Sequence, residues 1–200
     1  MRRIVMFNRV SADGFFAAAD GNLDWIVRDE EVDRHGASGI PSTDTVILGR
    51  RTYEQFASFW PQVLDSPAPV DPHGPGGFSP ELHAFARALT DMTKVVFSTT
   101  LKDVTCMWKN SRLQRDIDPD AIAAMKRQPG KDMIIFGSGS IVTQLTRHGL
   151  IDEYQIIVNP VLLGSGQPLL AGLSRTAALE LLEARRFPSG NVMLRYARAG

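Results

Sequence analysis

Three short clusters of small and hydroxyl residues in this sequence have the composition of a phosphate-binding site. Each cluster follows an apolar run: Gly49-Arg50-Arg51-Thr52, Ser98-Thr99-Thr100 and Gly137-Ser138-Gly139-Ser140-Ile141. Glycines let backbone amides approach an anion, and a helix that follows offers free N–H groups and the positive end of its dipole. The third cluster has this arrangement most clearly. A tight turn between a strand and a helix is the alternative interpretation.

Two arginines, Arg50 and Arg51, add positive charge to the first cluster. A guanidinium group can bind phosphate through two hydrogen bonds, which suits the 2′-phosphate of NADP. A solvated basic corner is the alternative. The third cluster is not a standard dinucleotide fingerprint, because Val142 stands where a third glycine or alanine would be expected. The sequence also contains no GxSxG, GxxxxGK or HExxH, which argues against hydrolase and P-loop chemistry.

The elements that would position these clusters alternate between strands and helices. Apolar runs predict strands over residues 2–10, 45–48, 94–97, 104–108, 133–136 and 153–158. Helical spacing and caps predict helices over residues 23–35, 80–89, 121–127 and 141–148, and a further helix that begins at residue 52. This alternation predicts an α/β fold with a largely parallel sheet covered on both faces, and ligands bind such sheets at the carboxyl ends of the strands. Residues 178–187 and 192–197 predict a C-terminal antiparallel hairpin.

Composition narrows the class of protein further. Lys plus Arg and Asp plus Glu both number 22, so no basic surface for nucleic acid is expected. A single cysteine, Cys106, and four histidines without ligand spacing predict neither a disulfide nor a metal site. The apolar N-terminal run is broken at Asn8 and Arg9, and no run has the length of a membrane span. A cytoplasmic protein that binds a small molecule, without nucleic acid or membrane partners, is therefore expected.

Several segments together resemble one reductase superfamily. Residues 46–54, VILGRRTYE, resemble the strand and helix start of dihydrofolate reductase, and residues 135–140, IFGSGS, resemble its glycine pair at the pyrophosphate. Residues 150–154, 159–164 and 187–192, with Ser11-Ala12-Asp13-Gly14, resemble the reductase domain of riboflavin biosynthesis. The sequence is therefore similar to dihydrofolate reductase-like proteins, and closest to stand-alone proteins that resemble the RibD C-terminal domain.

The resemblance implies a fold, a cofactor and a set of contacts. It implies one domain over residues 1–200 with a three-layer αβα architecture and a mixed, mostly parallel sheet of about eight strands. NADPH would lie across the strand ends, beside a substrate pocket, and related reductases are often homodimers. The implied cofactor contacts are Gly49, Arg50, Arg51, Thr52, Ser98, Thr99, Gly137, Ser138, Gly139, Ser140 and Ile141.

The sequence departs from dihydrofolate reductase at the active-site acid. Alignment on Trp25 places Asn22 at the position of that acid, with Asp24 nearby, and an amide cannot relay a proton as a carboxylate does. Asp13 is an alternative polar anchor by resemblance to the riboflavin-type reductases, or it caps its Asp-Gly turn. Trp25 and Phe56 are candidate walls for a planar substrate, and the alternative for both is a place in the core.

These features predict an NADPH-dependent oxidoreductase acting on a small planar heterocycle or a related carbonyl or imine. The 5-amino-6-(5-phosphoribosylamino)uracil reductase of riboflavin biosynthesis is the implied relative, without the zinc ligands of a deaminase domain. An NADP(H)-binding module without turnover, serving as a sensor or interaction protein, is the alternative. A Rossmann alcohol or ketone reductase is disfavoured because the first strand lacks the glycine fingerprint. Residues 61–80, rich in proline and glycine, predict a long loop.

Overall fold

A computed structural model describes residues 1–65 and 80–199. The strands are β1 (Ile4–Ser11), β2 (Phe15–Ala17), β3 (Thr43–Gly49), β4 (Thr93–Phe97), β5 (Ser111–Gln114), β6 (Asp132–Phe136), β7 (Glu153–Asn159), β8 (Gln167–Pro168), β9 (Leu179–Arg186) and β10 (Val192–Arg198). The helices are α1 (Glu30–Ser38), α2 (Arg50–Asp65), α3 (Pro80–Asp91), α4 (Pro119–Arg127) and α5 (Gly139–Arg147).

Eight of these strands form one mixed sheet in the order β5-β4-β3-β6-β1-β7-β10-β9. Neighbours from β5 to β7 pair in parallel, and β10 runs antiparallel to both β7 and β9. The C-terminal hairpin is therefore confirmed. Strands β2 and β8 form a separate two-stranded sheet.

The two faces of the large sheet carry separate apolar cores. Successive residues of a strand point to opposite faces, so β1 places Phe7 in one core and Met6 in the other. Helices α1 to α3 cover the Phe7 face, where Tyr53 and Leu89 are fully buried, and helices α4 and α5 cover the Met6 face. The predicted three-layer αβα architecture is therefore confirmed.

The helix predicted over residues 23–35 is wrong in its position, because α1 begins at Glu30. Asp29 fixes this start: its carboxylate accepts a hydrogen bond from the backbone N–H of Glu31 at 2.8 Å. The apolar residues before Asp29 have helical spacing but lie in turns and irregular chain.

The strand predicted over residues 104–108 is also wrong. This segment is a turn, in which Val104 and Trp108 are both buried. The Tyr53 hydroxyl donates to the carbonyl oxygen of Val104 at 2.6 Å, which holds the turn against α2. The apolar pattern of the segment therefore reflects core packing from a turn rather than pairing in the sheet.

The loop predicted over residues 61–80 is wrong at its start, because α2 continues to Asp65 with Pro61 inside it. Proline has no N–H, so one backbone hydrogen bond of the helix is absent there. Residues 66–79 of the predicted loop lie outside the described residues. Among the described residues, no helix is long and apolar enough to cross a membrane.

Candidate functional site

A cleft of about 1970 Å³ runs across the carboxyl ends of β1, β3, β4 and β6. It has two parts. The first, the strand-end half, is lined by all of the residues predicted from the sequence to bind a cofactor. They are Gly49, Arg50, Arg51, Thr52, Ser98, Thr99, Gly137, Ser138, Gly139, Ser140 and Ile141. The fold thus brings three clusters that are distant in the sequence to one edge of the sheet.

Ser138 connects the ends of β3 and β6. Its hydroxyl accepts a hydrogen bond from the backbone N–H of Gly49 at 2.8 Å and donates to the Thr52 hydroxyl at 3.0 Å. Its backbone is left-handed, with φ of 57°, a conformation that residues with a Cβ seldom adopt. The Ser138 and Thr52 hydroxyls therefore stabilise the shape of the strand-end half through their contact with each other.

Small residues are required at two points of this half. Gly137 has φ of +54°, and a Cβ there would lie 3.1 Å from the Thr52 hydroxyl oxygen. A Cβ on Gly139 would lie 2.8 Å from the Phe16 ring. Helix α5 begins at Gly139, and the first N–H groups of a helix have no partner within it. The turn therefore packs closely against Thr52 and Phe16 and presents the amides at the start of α5, an arrangement that suits a phosphate.

Positive charge surrounds the strand-end half. Arg50 pairs with Glu54 at 3.0 Å near the start of α2 and is partly exposed, and Arg51 is exposed. Arg115 also lines the cleft and donates to the carbonyl oxygen of Ser98 at 3.2 Å. Sequence reasoning missed Arg115 because it placed the preceding strand at residues 104–108.

The Ser98 hydroxyl shapes a turn. It accepts hydrogen bonds from the backbone N–H groups of Thr100 at 3.2 Å and Leu101 at 3.0 Å, and Ser98 is buried. Thr99, by contrast, is exposed on the cleft. A ligand would therefore meet Thr99 more readily than the Ser98 hydroxyl.

The second part of the cleft, the aromatic half, is walled by rings from three elements. Phe56 and Trp60 of α2 lie 5.9 Å apart, and Phe56 and Phe136 of β6 are separated by the same distance. Phe7 of β1 contacts Phe136 edge-on at 6.0 Å. The structure thus places Phe56, a predicted substrate contact, in the cleft. Phe7, Trp60 and Phe136 were not predicted there, because each has the pattern of a core residue.

The turn after β2 forms another part of the cleft wall, and only some of the predicted catalytic residues lie on it. Asp24 lines the cleft, as does Asp20, whereas Asn22 and Trp25 do not. The side-chain amide of Asn22 donates to the Asp24 carboxylate at 2.7 Å, and the Trp25 indole donates to the backbone carbonyl oxygen of Asn22 at 3.2 Å. Asn22 and Trp25 therefore support the turn that presents Asp24.

Asp13 lies outside the residues that line the cleft. Its carboxylate accepts a hydrogen bond from the Ser11 hydroxyl at 2.6 Å and from the Gly164 N–H at 2.7 Å. Hydrogen bonds to the ionised form, led by that of Ser11, lower the pKa of Asp13. These contacts connect the turn after β1 to the loop at Leu163 and Gly164, so they favour a structural role for Asp13.

Two buried asparagines hold the segment that continues this wall. Asn159 accepts a hydrogen bond from the Val27 N–H at 3.0 Å, and Asn191 donates to the Val27 carbonyl oxygen at 3.0 Å. Both asparagines are completely buried. The neighbours of Val27, Ile26 and Arg28, line the cleft. Both asparagines belong to segments that resemble riboflavin-type reductases. The sequence therefore marked these segments as related to that family, but it did not indicate what the two asparagines do.

The strand order and the cleft across the strand ends define the dihydrofolate reductase-like α/β fold. The family model of the RibD C-terminal domain matches residues 2–193. The chain belongs to this family, as the resemblance predicted.

Three known proteins illustrate the relationship. The chain is 31% identical over 205 residues to the uncharacterized protein YwjB of Bacillus subtilis (strain 168), with 99% of each chain covered. A crystal structure from Shewanella sp. PV-4, whose name associates it with riboflavin biosynthesis, has a TM-score of 0.74 at 22% identity and full coverage of both chains. Dihydrofolate reductase from Enterococcus faecalis, complexed with NADP(H), has a TM-score of 0.62 at 12% identity, covering 99% of this chain and 97% of that one.

Proposed function

We propose that this protein is an NADPH-dependent reductase that acts on a small planar heterocycle or a related carbonyl or imine. One observation carries the proposal: a phosphate-compatible strand-end half and an aromatic half belong to the same continuous cleft. Membership of the RibD C-terminal domain family and the fold shared with an NADP(H)-bound dihydrofolate reductase support it. The uracil derivative reduced in riboflavin biosynthesis is the first acceptor to test.

The residues of the strand-end half fit NADPH. Gly137 and Gly139 let the turn pack closely against Thr52 and Phe16, and a pyrophosphate would bind to the backbone amides at the start of α5. Arg50 and Arg51 suit the 2′-phosphate, and Thr99 suits the adenosine side. When bound, NADPH supplies the hydride.

The aromatic half would bind and orient the acceptor. Phe56, Trp60 and Phe136 offer an apolar surface on which a planar ring can lie with little water around it. Asp24 and Asp20, which line the same cleft, can accept hydrogen bonds from ring N–H groups. Holding the reacting carbon at close distance and in a fixed orientation accelerates transfer even without a strong acid.

The direct test has two stages. NADPH binding is first measured by fluorescence titration, and NADPH oxidation is then followed with aminopyrimidine, dihydropteridine and cyclic carbonyl acceptors. Oxidation that depends on one of these acceptors supports the proposal. Failure to bind NADPH contradicts it.

A binding module without turnover is the second candidate, and it rests on the sequence, in which Asn22 aligns with the active-site acid of dihydrofolate reductase. Tight NADPH binding without oxidation by any acceptor would support this candidate.

We also propose a homodimer that forms through β9. This edge strand pairs only with β10 among the described strands, and Leu179, Leu181 and Leu182 on it are 37%, 55% and 48% exposed. Exposed leucines on an unpaired strand edge favour association. Light scattering should give a dimer mass for the native protein and a monomer mass for Leu181→Glu; a monomeric native protein contradicts the proposal.

A further inference from the structure

Arg9 lies near the end of β1, on the cleft, and its side chain is only 17% exposed. Its Nη2 donates to the Asp33 carboxylate of α1. Its Nη1 is buried and has no hydrogen-bond partner. Among the described residues, the other buried side-chain polar atom without a hydrogen-bond partner is the carbonyl oxygen of the Asn191 side chain.

An unpaired buried donor of this kind needs an explanation. Nearly all buried polar groups in folded proteins have a partner, and an unpaired one destabilises the fold, more strongly when the group is charged. The rings of Phe7 and Phe136 form part of the same cleft and supply no acceptor atom. An unpaired donor at a cleft is explained when a ligand supplies the missing acceptor.

The charges around Arg9 indicate what kind of acceptor is missing. Burial lowers the pKa of Arg9, and it outweighs the opposing attraction of the Asp33 carboxylate. The Arg28 guanidinium lowers that pKa further, and Asp29 raises it less than Asp33 does. The positive charge of Arg9 is therefore incompletely balanced by its neighbours. A negatively charged oxygen would balance it better than a neutral carbonyl would.

We propose that Arg9 is a specificity-determining residue that binds an anionic oxygen carried by a planar ring in the aromatic half. The oxygen would accept a hydrogen bond from Nη1 while Asp33 keeps Nη2, and the ring would lie against Phe56 and Phe136. Because Nη1 is buried, the Arg9 side chain would have to change rotamer for this atom to reach a ligand in the cleft. The inference extends the proposed function, because it assigns a charge to the acceptor, yet binding at this subsite requires no turnover.

The test uses two planar probes of nearly equal shape, 2-naphthoate and its neutral amide, 2-naphthamide. Their affinities are measured by calorimetry with and without saturating NADPH, for the native protein, Arg9→Met and Arg34→Met. Arg34 is an exposed arginine of α1 outside the cleft lining, so it is the matched control. Arg9→Met should weaken naphthoate binding by about tenfold to one hundredfold and naphthamide binding by less than about twofold. Arg34→Met should change neither.

Asp33→Asn gives an independent test in the opposite direction. It removes the negative charge beside the Arg9 guanidinium, so naphthoate should bind a few-fold more tightly while naphthamide affinity stays constant. If Arg9→Met does not fold, this variant still tests whether Arg9 binds the anionic oxygen.

Three results would overturn the inference: no preference of the native protein for naphthoate, no binding of naphthoate, or equal losses of both probes in Arg9→Met. Failure of the proposed function has a different signature. In that case the native protein does not bind NADPH, and the naphthoate measurements without NADPH still report on Arg9.

Discussion

The two halves of the cleft are built in different ways. The strand-end half consists of short contiguous segments, each placed where a parallel strand ends and, at Gly49 and Gly137, where a helix begins. The aromatic half is assembled from single residues of β1, β6 and α2 and from an irregular segment around Val27. That segment is held by side chains from β7 and from the turn before β10.

The two halves differ in which residues determine their geometry. The geometry of the strand-end half follows from local chain conformation, so changes within its segments should affect cofactor binding directly. The geometry of the aromatic half depends on contacts between residues far apart in the sequence. Changes outside the cleft should therefore reach acceptor binding while leaving cofactor binding intact.

Gly137→Ala should produce the largest effect, on the strand-end half. The new Cβ meets the Thr52 hydroxyl, and the positive φ of Gly137 strains any other residue. We expect the Kd for NADPH to rise by about thirtyfold or more, from about 2 kcal/mol of strain. Gly164→Ala is the control, because Gly164 has φ of +70°, open space around its Cβ position and no place in the cleft lining. Equal Kd values for both variants would show that the backbone at Gly137 is not part of a cofactor site.

Arg50→Ala should have the next largest effect, on one part of the cofactor. Loss of a charge-assisted hydrogen bond to the 2′-phosphate should weaken NADPH about tenfold and leave NADH almost unchanged. The broken pair with Glu54 is partly exposed and contributes little. Arg112→Ala, at an exposed arginine outside the cleft lining, should change neither affinity. Equal losses of NADPH and NADH would contradict the assignment.

Asn191→Asp should separate the two halves. The carboxylate keeps the size of the side chain but cannot donate to the Val27 carbonyl oxygen. We expect the acceptor KM to rise about fivefold through displacement of Ile26 and Arg28, with the Kd for NADPH within about twofold of native. The Tm should fall by several degrees, because a buried carbonyl loses its partner. An equal loss in cofactor affinity would show that the halves are not independent.

Lys94→Met should affect neither half, because Lys94 lies near the start of β4, away from the cleft. Its ammonium group donates to the carbonyl oxygens of Leu89, Thr90 and Met92, and burial lowers its pKa to about 8 from an ordinary value of 10.5. Between these values the unfolded chain binds more protons than the folded one, so stability rises with pH. The gain should be about 1 kcal/mol between pH 8 and pH 9 by denaturant unfolding.

The Lys94→Met variant should lack this gain, and Lys102→Met, at an exposed lysine, should retain it. A native protein whose stability falls over this range would contradict the assignment of the pH dependence to Lys94. NADPH affinity at neutral pH should be the same in all three proteins.

The sequence predicted the layers and the strand-end half because both depend on local patterns. Apolar alternation sets strand faces, and residues such as Gly49 and Gly137 stand immediately after their strands. It failed at residues 23–29, which precede α1 and where Asn159 and Asn191 hold the irregular chain through hydrogen bonds to Val27. No local pattern could reveal those partners. The candidate binding role of Arg9 could likewise not be predicted from the sequence, because it depends on an unpaired donor that only the folded structure shows.

The hydrogen bonds of the Ser138 hydroxyl restrict which segments can be exchanged between related proteins. Because it joins the Gly49 amide to the Thr52 side chain, the β3–α2 and β6–α5 units share one hydrogen-bonded junction. A chimaera that inherits only one of these units would retain the junction only if its new partner offers the same amide and hydroxyl. The two units should therefore be exchanged together when the strand-end half is redesigned, whereas the exposed position of Arg51 can be varied alone.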